Sequence, residues 1–501
     1  MSNETSEAPA SGWLRWLALA VVVVSLGVLV FTRDFDGPPA TREGPPSIVL
    51  VLIDTLRADY LGTYGFEGDI SPELDRVADE SIVFESAFSQ APWTKPAIAS
   101  LFTSLHPEQH GVIAHMGRYG DREGESPRAS ALPQRAVTMA EMLRGAGYET
   151  AAFIANPWIQ RRLGFAQGFD VFDAKDVGNQ VPARVLLDKA GAWLAQREQD
   201  KPFFLYIHLM DVHGPYDAPQ DDFDALAGSP GLGEPRPLTL AEAQRRKSYL
   251  MRAGGTHGDD LALEAWRGSY AAGVRSVDRQ VGAFLTGLSR GGVLDDALLV
   301  ITSDHGEELA DHGAWDHGGT LFDEQIRVPL LVRLPGANPD GRRVERVVSL
   351  IDLMPTLLRV AGSTVPKGLA GEDLGPLLAG QEIEKPGVAY ASGVKWRPAA
   401  KAVRTRDSKL VRSGDVTWVF DVATDPGETR GVPPGSIEIE ELAAILDEHG
   451  EKLAAGPSFR TEAATMAPGT RDKLRALGYL DEGPPPEPTP PADQTEQEKE
   501  T

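Results

Sequence analysis

The stretch Ser47–Ile53 (SIVLVLI), followed at once by Asp54, decides the architecture. It is a short unbroken aliphatic run without polar alternation, as expected of a strand covered on both faces in a parallel sheet. Four further runs read the same way: Ser81–Ser89 (SIVFESAFS), Thr150–Ala155 (TAAFIA), Pro202–Leu209 (PFFLYIHL) and Ala297–Ser303 (ALLVITS). Helical patterns fall between them, over Val137–Gly145, Val181–Gln199 and Tyr270–Ser289. This alternation predicts an α/β fold with a doubly wound, mostly parallel sheet. Residues 217–262 interrupt it with a polar insertion containing Gly and Pro, which reads as a lid or a surface excursion. The surroundings of Trp418–Asp421 predict a small antiparallel subdomain near the C-terminus.

Outward from this core the chain changes character. Seventeen uncharged residues, Trp16–Thr32, stand between Arg15 and Arg33, with Trp13 and Trp16 suited to a membrane interface. A cleaved signal peptide would have a shorter apolar stretch and a small-x-small site, which LVFTRDFDG lacks. We therefore expect an N-terminal tail over 1–15, a transmembrane helix over 16–32 and a linker over 33–46. A catalytic domain is expected over 47–380, a C-terminal subdomain over 381–480 and a disordered, acidic, Pro-rich tail over 481–501. Arginine counts on the two sides are too close for the positive-inside rule to orient the anchor.

The 501 residues are 42% hydrophobic and include 73 acidic, 49 basic and no cysteine residues. The absence of cysteine excludes disulfides, thiolate metal sites and thiol nucleophiles. The net charge of −24 argues against general nucleic-acid binding, although −6 of it lies in residues 481–501.

Ligands of open α/β sheets bind beyond the carboxyl ends of the strands. Asp54 follows the first strand, Asp211 and His213 follow PFFLYIHL, and Asp304 and His305 follow ALLVITS. Thr94 opens a helical run, two residues before Pro96. Such oxygen and nitrogen donors suit calcium, manganese, zinc or magnesium. Each residue also has a plainer reading. Asp54 or Thr94 can cap a helix, His208 can be a core histidine, and Asp311 and His312 can be solvated. The pentapeptide Gly287–Gly291 matches G-x-S-x-G by letter but follows a helix and precedes a strand, the reverse of a nucleophile elbow.

The stretch VLIDTLRADYLGTYGFEGDISPELDRVADESIVFESAFSQAPWTKPAIASLFTSLHPEQHGV (51–112) resembles the N-terminal half of the sulfatase family, within the alkaline phosphatase superfamily. The resemblance continues in order through FLYIHLMDVHGPY, YAAGVRSVDRQVGAFL, LVITSDHGEELADHGAWDHGGTLFDEQIRVPLLVRLPG, DLMPTLLRVAG and WVFDVATDPGETRGV. It implies a metal held by Asp54, Thr94, Asp304 and His305. It further implies that His213 and His317 serve the substrate oxygens or leaving group; many sulfatases carry lysine where His317 stands.

Two departures from the family pattern matter. The usual Asp-Asp after the first strand is Asp54-Thr55 here, and the C/S-x-P-x-R motif reads Thr94-Lys95-Pro96-Ala97-Ile98. Threonine is not a precursor of formylglycine, and Ile98 replaces the arginine that supports the aldehyde hydrate, so no formylglycine is expected. Phosphodiesterase and headgroup-transferase branches of the superfamily use threonine at this position. A hydroxyl bound to a dication at a helix N-terminus is well placed to become a nucleophile. Lys95 can bind a non-bridging oxygen or simply face solvent.

The expected activity is a metal-dependent ester hydrolase acting on a phosphate mono- or diester through Thr94. The alternatives are a sulfuric ester hydrolase, a membrane-anchored phospho-headgroup transferase and a non-catalytic binding protein of the same fold. By family analogy, the expected location is a single-pass anchor in the cell membrane with an extracytoplasmic catalytic domain.

Overall fold

The computed structural model describes residues 44–113, 128–175, 181–198, 200–238, 260–336, 341–395, 399–432, 437–467 and 469–477. The expected anchor at 16–32, most of the linker, the tail at 481–501 and the second half of the 217–262 insertion lie outside these residues. Among the described residues no helix is long and apolar enough to cross a membrane.

Among the described residues, eight strands form the central sheet: β1 (Ser47–Ile53), β2 (Ile82–Phe84), β3 (Glu149–Ile154), β4 (Val171–Asp173), β5 (Phe203–Leu209), β6 (Ala297–Thr302), β7 (Leu330–Arg333) and β8 (Arg343–Val344). Their order is β8-β2-β7-β6-β1-β5-β3-β4. Only β7 runs antiparallel to its neighbours, β2 and β6. Every residue of β1, β5 and β6 is buried, the two-sided cover that their unbroken apolar runs predict.

Two groups of helices supply that cover. Helix α5 (Asp260–Arg290) packs against both α1 (Pro72–Asp79) and α4 (Ala183–Gln196). Helices α2 (Thr94–Thr103), α3 (Met139–Gly145) and α6 (Leu353–Val360) form the second set, packed against one another.

Three elements differ from their expected bounds. Helix α5 begins ten residues before Tyr270, because Leu263, Trp266, Tyr270, Val274, Val277, Val281, Leu285 and Leu288 form one buried stripe at helical spacing. The run 81–89 is two strands, since Ala87–Phe88 leaves the central sheet to pair with Arg327–Val328 and Val348–Ser349. The described part of the insertion is docked, burying Phe223, Leu226, Leu232 and Leu238, with Asp222 held by Arg279 of α5 at 2.8 Å.

The C-terminal antiparallel sheet is present as β9 (Ala389–Ser392), β10 (Lys401–Arg404), β11 (Ser408–Ser413) and β12 (Val416–Asp421) in sequential order. Helix α7 (Ile437–Ala455) packs Leu442 and Leu446 against Val403, Leu410 and Val419 on one face. Phe88, Leu321, Phe322 and Ile326 cluster with Ala402, Val411 and Phe420 of the sheet. Beneath that apolar contact lies a buried ion cluster. Lys409 Nζ stands 2.7 Å from Asp323 Oδ1 and 2.7 Å from Glu428 Oε1, and Arg404 Nε stands 3.2 Å from Asp323 Oδ2.

Candidate active site

Sheet register gathers the site. Leu52 of β1 is level with His208 of β5 and Thr302 of β6, and Ile154 of β3 is level with His208. Two positions beyond this row on their own strands come Asp54, Asn156 and Asp304. The ladder continues past the row through Asp54 N–H to Leu209 O (2.9 Å) and Ala155 N–H to His208 O (3.0 Å). Four adjacent strands thus deliver polar side chains to one edge, where the chain is free to turn. Thr55 makes the first turn with φ 59°, a sparsely populated conformation for threonine. Its carbonyl accepts from Tyr270 Oη at 2.7 Å, and that same hydroxyl accepts from Arg57 N at 2.9 Å.

Asp54, Asp304 and His305 are buried, with ligand atoms all within 4.8 Å of one another. Asp54 Oδ2 accepts from His208 Nε2 (2.9 Å) and Asn156 Nδ2 (2.6 Å), whereas Oδ1 has no hydrogen-bond partner among the described residues. Asp304 Oδ1 accepts from the backbone N–H groups of Thr55 (3.4 Å) and His305 (3.0 Å), whereas Oδ2 has no partner among the described residues. Burial works to raise both carboxyls. The hydrogen bond and charge of His208 outweigh it at Asp54, which stays well below the usual range. At Asp304, burial and then the charge of Asp54 push the carboxyl well up. A divalent cation is the partner that lets both ionise. Two orphaned carboxylate oxygens, an imidazole nitrogen and a hydroxyl fit such an ion.

The imidazole of His305 has a defined tautomer. Nδ1 donates to Gly306 O at 2.8 Å, leaving the Nε2 lone pair 3.4 Å from Asp304 Oδ2 and 3.2 Å from Thr94 Oγ1. Burial, followed by the charge of His317, pushes His305 down to about 3, so the ring is neutral and able to ligate. Thr94 is the first residue of α2, with Trp93 in the cap position. Its hydroxyl faces His305, so the reading of Thr94 as a helix cap does not hold.

His213 and His317 flank this group, with ring centroids 5.0 Å apart and His317 4.4 Å from His305. Their environments drive them in opposite directions. His213 donates Nδ1–H to Gly214 O (2.7 Å), and burial lowers it. At His317 burial is outweighed by the carboxylates of Asp316 (2.9 Å from Nδ1) and Glu307 (3.2 Å), which raise it to about 10.

Other readings are corrected. Lys95 does not face solvent. It is fully buried, with Nζ 5.4 Å and 5.3 Å from the ring centres of Trp93 and Trp158, and it donates to Ser130 Oγ at 3.1 Å. Burial lowers it to about 7. His208 is more than a core histidine, since it holds Asp54. Asp311 pairs with the buried Arg57 at 2.7 Å, and His312 pairs with Glu324 at 2.9 Å, so neither is merely solvated. Asn156 was missed, although it directly follows TAAFIA; the same inspection of strand ends would have found it.

The sequence profile of the sulfatase family matches residues 46–363, and that of the N-sulphoglucosamine sulphohydrolase C-terminal region matches residues 310–455. A steryl-sulfatase of Mus musculus is 27% identical, over 88% of this chain and 88% of its own. An arylsulfatase of Clostridium perfringens is 24% identical, over 66% of this chain and 78% of its own. Among solved structures, a protein in complex with its substrate D-glucosamine-2-N,6-O-disulfate superposes with a TM-score of 0.65 at 22% identity, covering 82% of this chain and 98% of that one. The phosphonate monoester hydrolase of Agrobacterium radiobacter gives a TM-score of 0.63 at 23% identity, covering 82% and 95%. With a matching profile over most of the chain and the expected groups assembled at the strand ends, this protein belongs to the sulfatase family and is an ester hydrolase of the alkaline phosphatase superfamily.

Proposed function

We propose that the chain hydrolyses a phosphate mono- or diester with Thr94 as its nucleophile. One observation carries this reading: the buried Thr94 hydroxyl stands 3.2 Å from His305 Nε2, within the group formed by Asp54 and Asp304. Asp54, Asp304, His305 and Thr94 would hold a divalent cation, which would supply positive charge to acidify the hydroxyl and neutralise substrate oxygens. The Thr94 oxygen, having given its proton to solvent water, bonds to phosphorus as the bond to the leaving alcohol breaks. His317, kept protonated by Asp316 and Glu307, gives a proton to the departing oxygen. His213, kept neutral by burial, takes one from the water that then cleaves the phosphothreonine. Phosphate leaves when the substrate is a monoester, a phosphate monoester when it is a diester, and the departing Thr94 oxygen takes up a proton from solvent. Lys95, lowered to about 7 by burial, is the cation neighbouring the nucleophile in sequence that, when protonated, would favour an anionic substrate.

Sulfate esters are the second reading, favoured by the sulfatase names of the relatives. A panel of phosphate monoesters, phosphodiesters, phosphonate monoesters and sulfate esters separates the two. Preference for a phosphorus ester, lost in Thr94→Ala, supports the first reading; preference for sulfate overturns it. Transfer of a phospho-headgroup rather than hydrolysis would show as product carrying an added acceptor alcohol. The uncharged Trp16–Thr32 stretch supports a membrane anchor, and family analogy alone puts the catalytic domain outside the cytoplasm; fractionation and protease protection check both.

A further inference from the structure

Asn156 sits two residues past β3 and is fully buried. Its orientation is settled by the Trp158 backbone N–H, which donates to Oδ1 at 2.8 Å. A backbone N–H can only donate, so the atom facing it is the amide oxygen and the NH2 group faces the other way. There Nδ2 lies 2.6 Å from Asp54 Oδ2 and 3.3 Å from Thr94 Oγ1. The two hydrogens of this nitrogen match those two acceptors. Since Thr94 Oγ accepts from Asn156, its own proton is directed elsewhere, and the ring nitrogen Nε2 of His305 stands 3.2 Å from the same oxygen.

We infer that Asn156 is a catalytic residue whose amide N–H stabilises negative charge on Thr94 Oγ. The assignment rests on Thr94 being the nucleophile. The charge appears twice in the reaction: when Oγ has lost its proton before attack, and again when the Oγ–P bond breaks and the oxygen leaves. A preorganised donor in a water-poor site serves both moments without rearranging. Holding Asp54 with its second hydrogen ties this donor to the group that carries the metal ligands.

The test uses the metal-loaded full chain and two variants. Asn156→Ala removes the amide; Asn156→Asp keeps its size and the acceptor for Trp158 N–H but puts an acceptor in place of the donor. Orthovanadate, which bonds covalently to an alkoxide, is the first probe. Loss of the donor should weaken vanadate binding by about 10- to 100-fold at saturating metal, with metal occupancy measured on each variant so that any weakening of the site through Asp54 is separated from loss of the donor. The second readout is breakdown of the covalent Thr94 ester after acid-quench pulse-chase, on whichever ester of the panel is turned over. It should slow by about 10²–10³-fold, the usual cost of deleting one oxyanion donor. A residue that merely places substrate would not slow decay of an adduct already formed. If wild type binds vanadate no better than Thr94→Ala, the nucleophile assignment and this inference both fall. If wild type binds it through Thr94 and both Asn156 variants bind equally well, only the role of Asn156 is overturned.

Discussion

The Thr94 hydroxyl and the His305 ring meet at 3.2 Å, and the opposite ring nitrogen is already committed to the Gly306 carbonyl at 2.8 Å. The ring therefore cannot rotate away without losing a buried hydrogen bond. Thr94→Ser should keep activity within about tenfold of wild type, while Thr94→Ala and Thr94→Val should lose about three or more orders of magnitude in kcat. Metal content measured on the same preparations checks that the loss belongs to the hydroxyl and not to an emptied site.

The unpartnered oxygens of Asp54 and Asp304 make the fold's stability respond to metal. Chelation should lower the thermal midpoint, and calcium, magnesium, manganese or zinc should restore it with a concentration dependence. At metal a hundredfold above Kd the gain is about 2.7 kcal/mol. Asp304→Asn should bind metal much more weakly and lose most of that dependence in calorimetric titration.

His312 lies flat on Phe322, ring centroids 3.7 Å apart, and pairs with Glu324 at 2.9 Å. Burial alone would lower it, but the hydrogen bond and charge of Glu324 win and raise it from 6.5 to about 9. Its contribution to stability is complete below pH 6.5 and is lost as pH rises through about 9. Burial and the charge of Glu324 push Glu308 up from 4.5 to about 8, so its proton too is held more tightly in the folded state. Stability from this group falls between those two values, in the same direction. Thermal midpoints should decline from pH 6.5 to pH 9 in wild type and decline less in His312→Gln.

Lys409 is the buried cation between Asp323 and Glu428. Lys409→Met leaves two buried carboxylates with one fewer positive partner and should cost about 3–5 kcal/mol in urea unfolding. The exposed Arg406–Glu345 pair, at 2.6 Å, serves as the control, since Arg406→Ala should cost less than about 1 kcal/mol.

What could be read from the chain, and what could not, follows physical lines. Strands β1, β3, β5 and β6 are apolar runs whose burial needs no partner to be inferred, and their bounds agree with the sequence to within a residue or two. Strand β7 has only four residues, and its antiparallel pairing with β2 and β6 is a long-range relationship that no local pattern carries. Asp54, Asp304, His305 and His213 stand out in the sequence as charged groups and imidazoles just past strands, whereas the uncharged Thr94 at a helix start and His317 were singled out through the resemblance to the family's motifs. Asn156 bears no charge, and an asparagine after a strand is ordinary turn chemistry. His208 looked internal because it is internal; its meaning lies in the neighbour that β1 brings level with it.

That levelling of Leu52, Ile154, His208 and Thr302 makes the active centre work like a combination lock. Side chains alternate between the two faces of a sheet, so displacing any one of the four strands by a single residue turns its contribution to the wrong side. Such a misassembled molecule would lose an acid, an amide or an imidazole outright, and would be inert instead of acquiring a loosened selectivity. Turnover by this enzyme is consequently a stricter gauge of native assembly than its helix content or compactness, either of which a slipped sheet could retain.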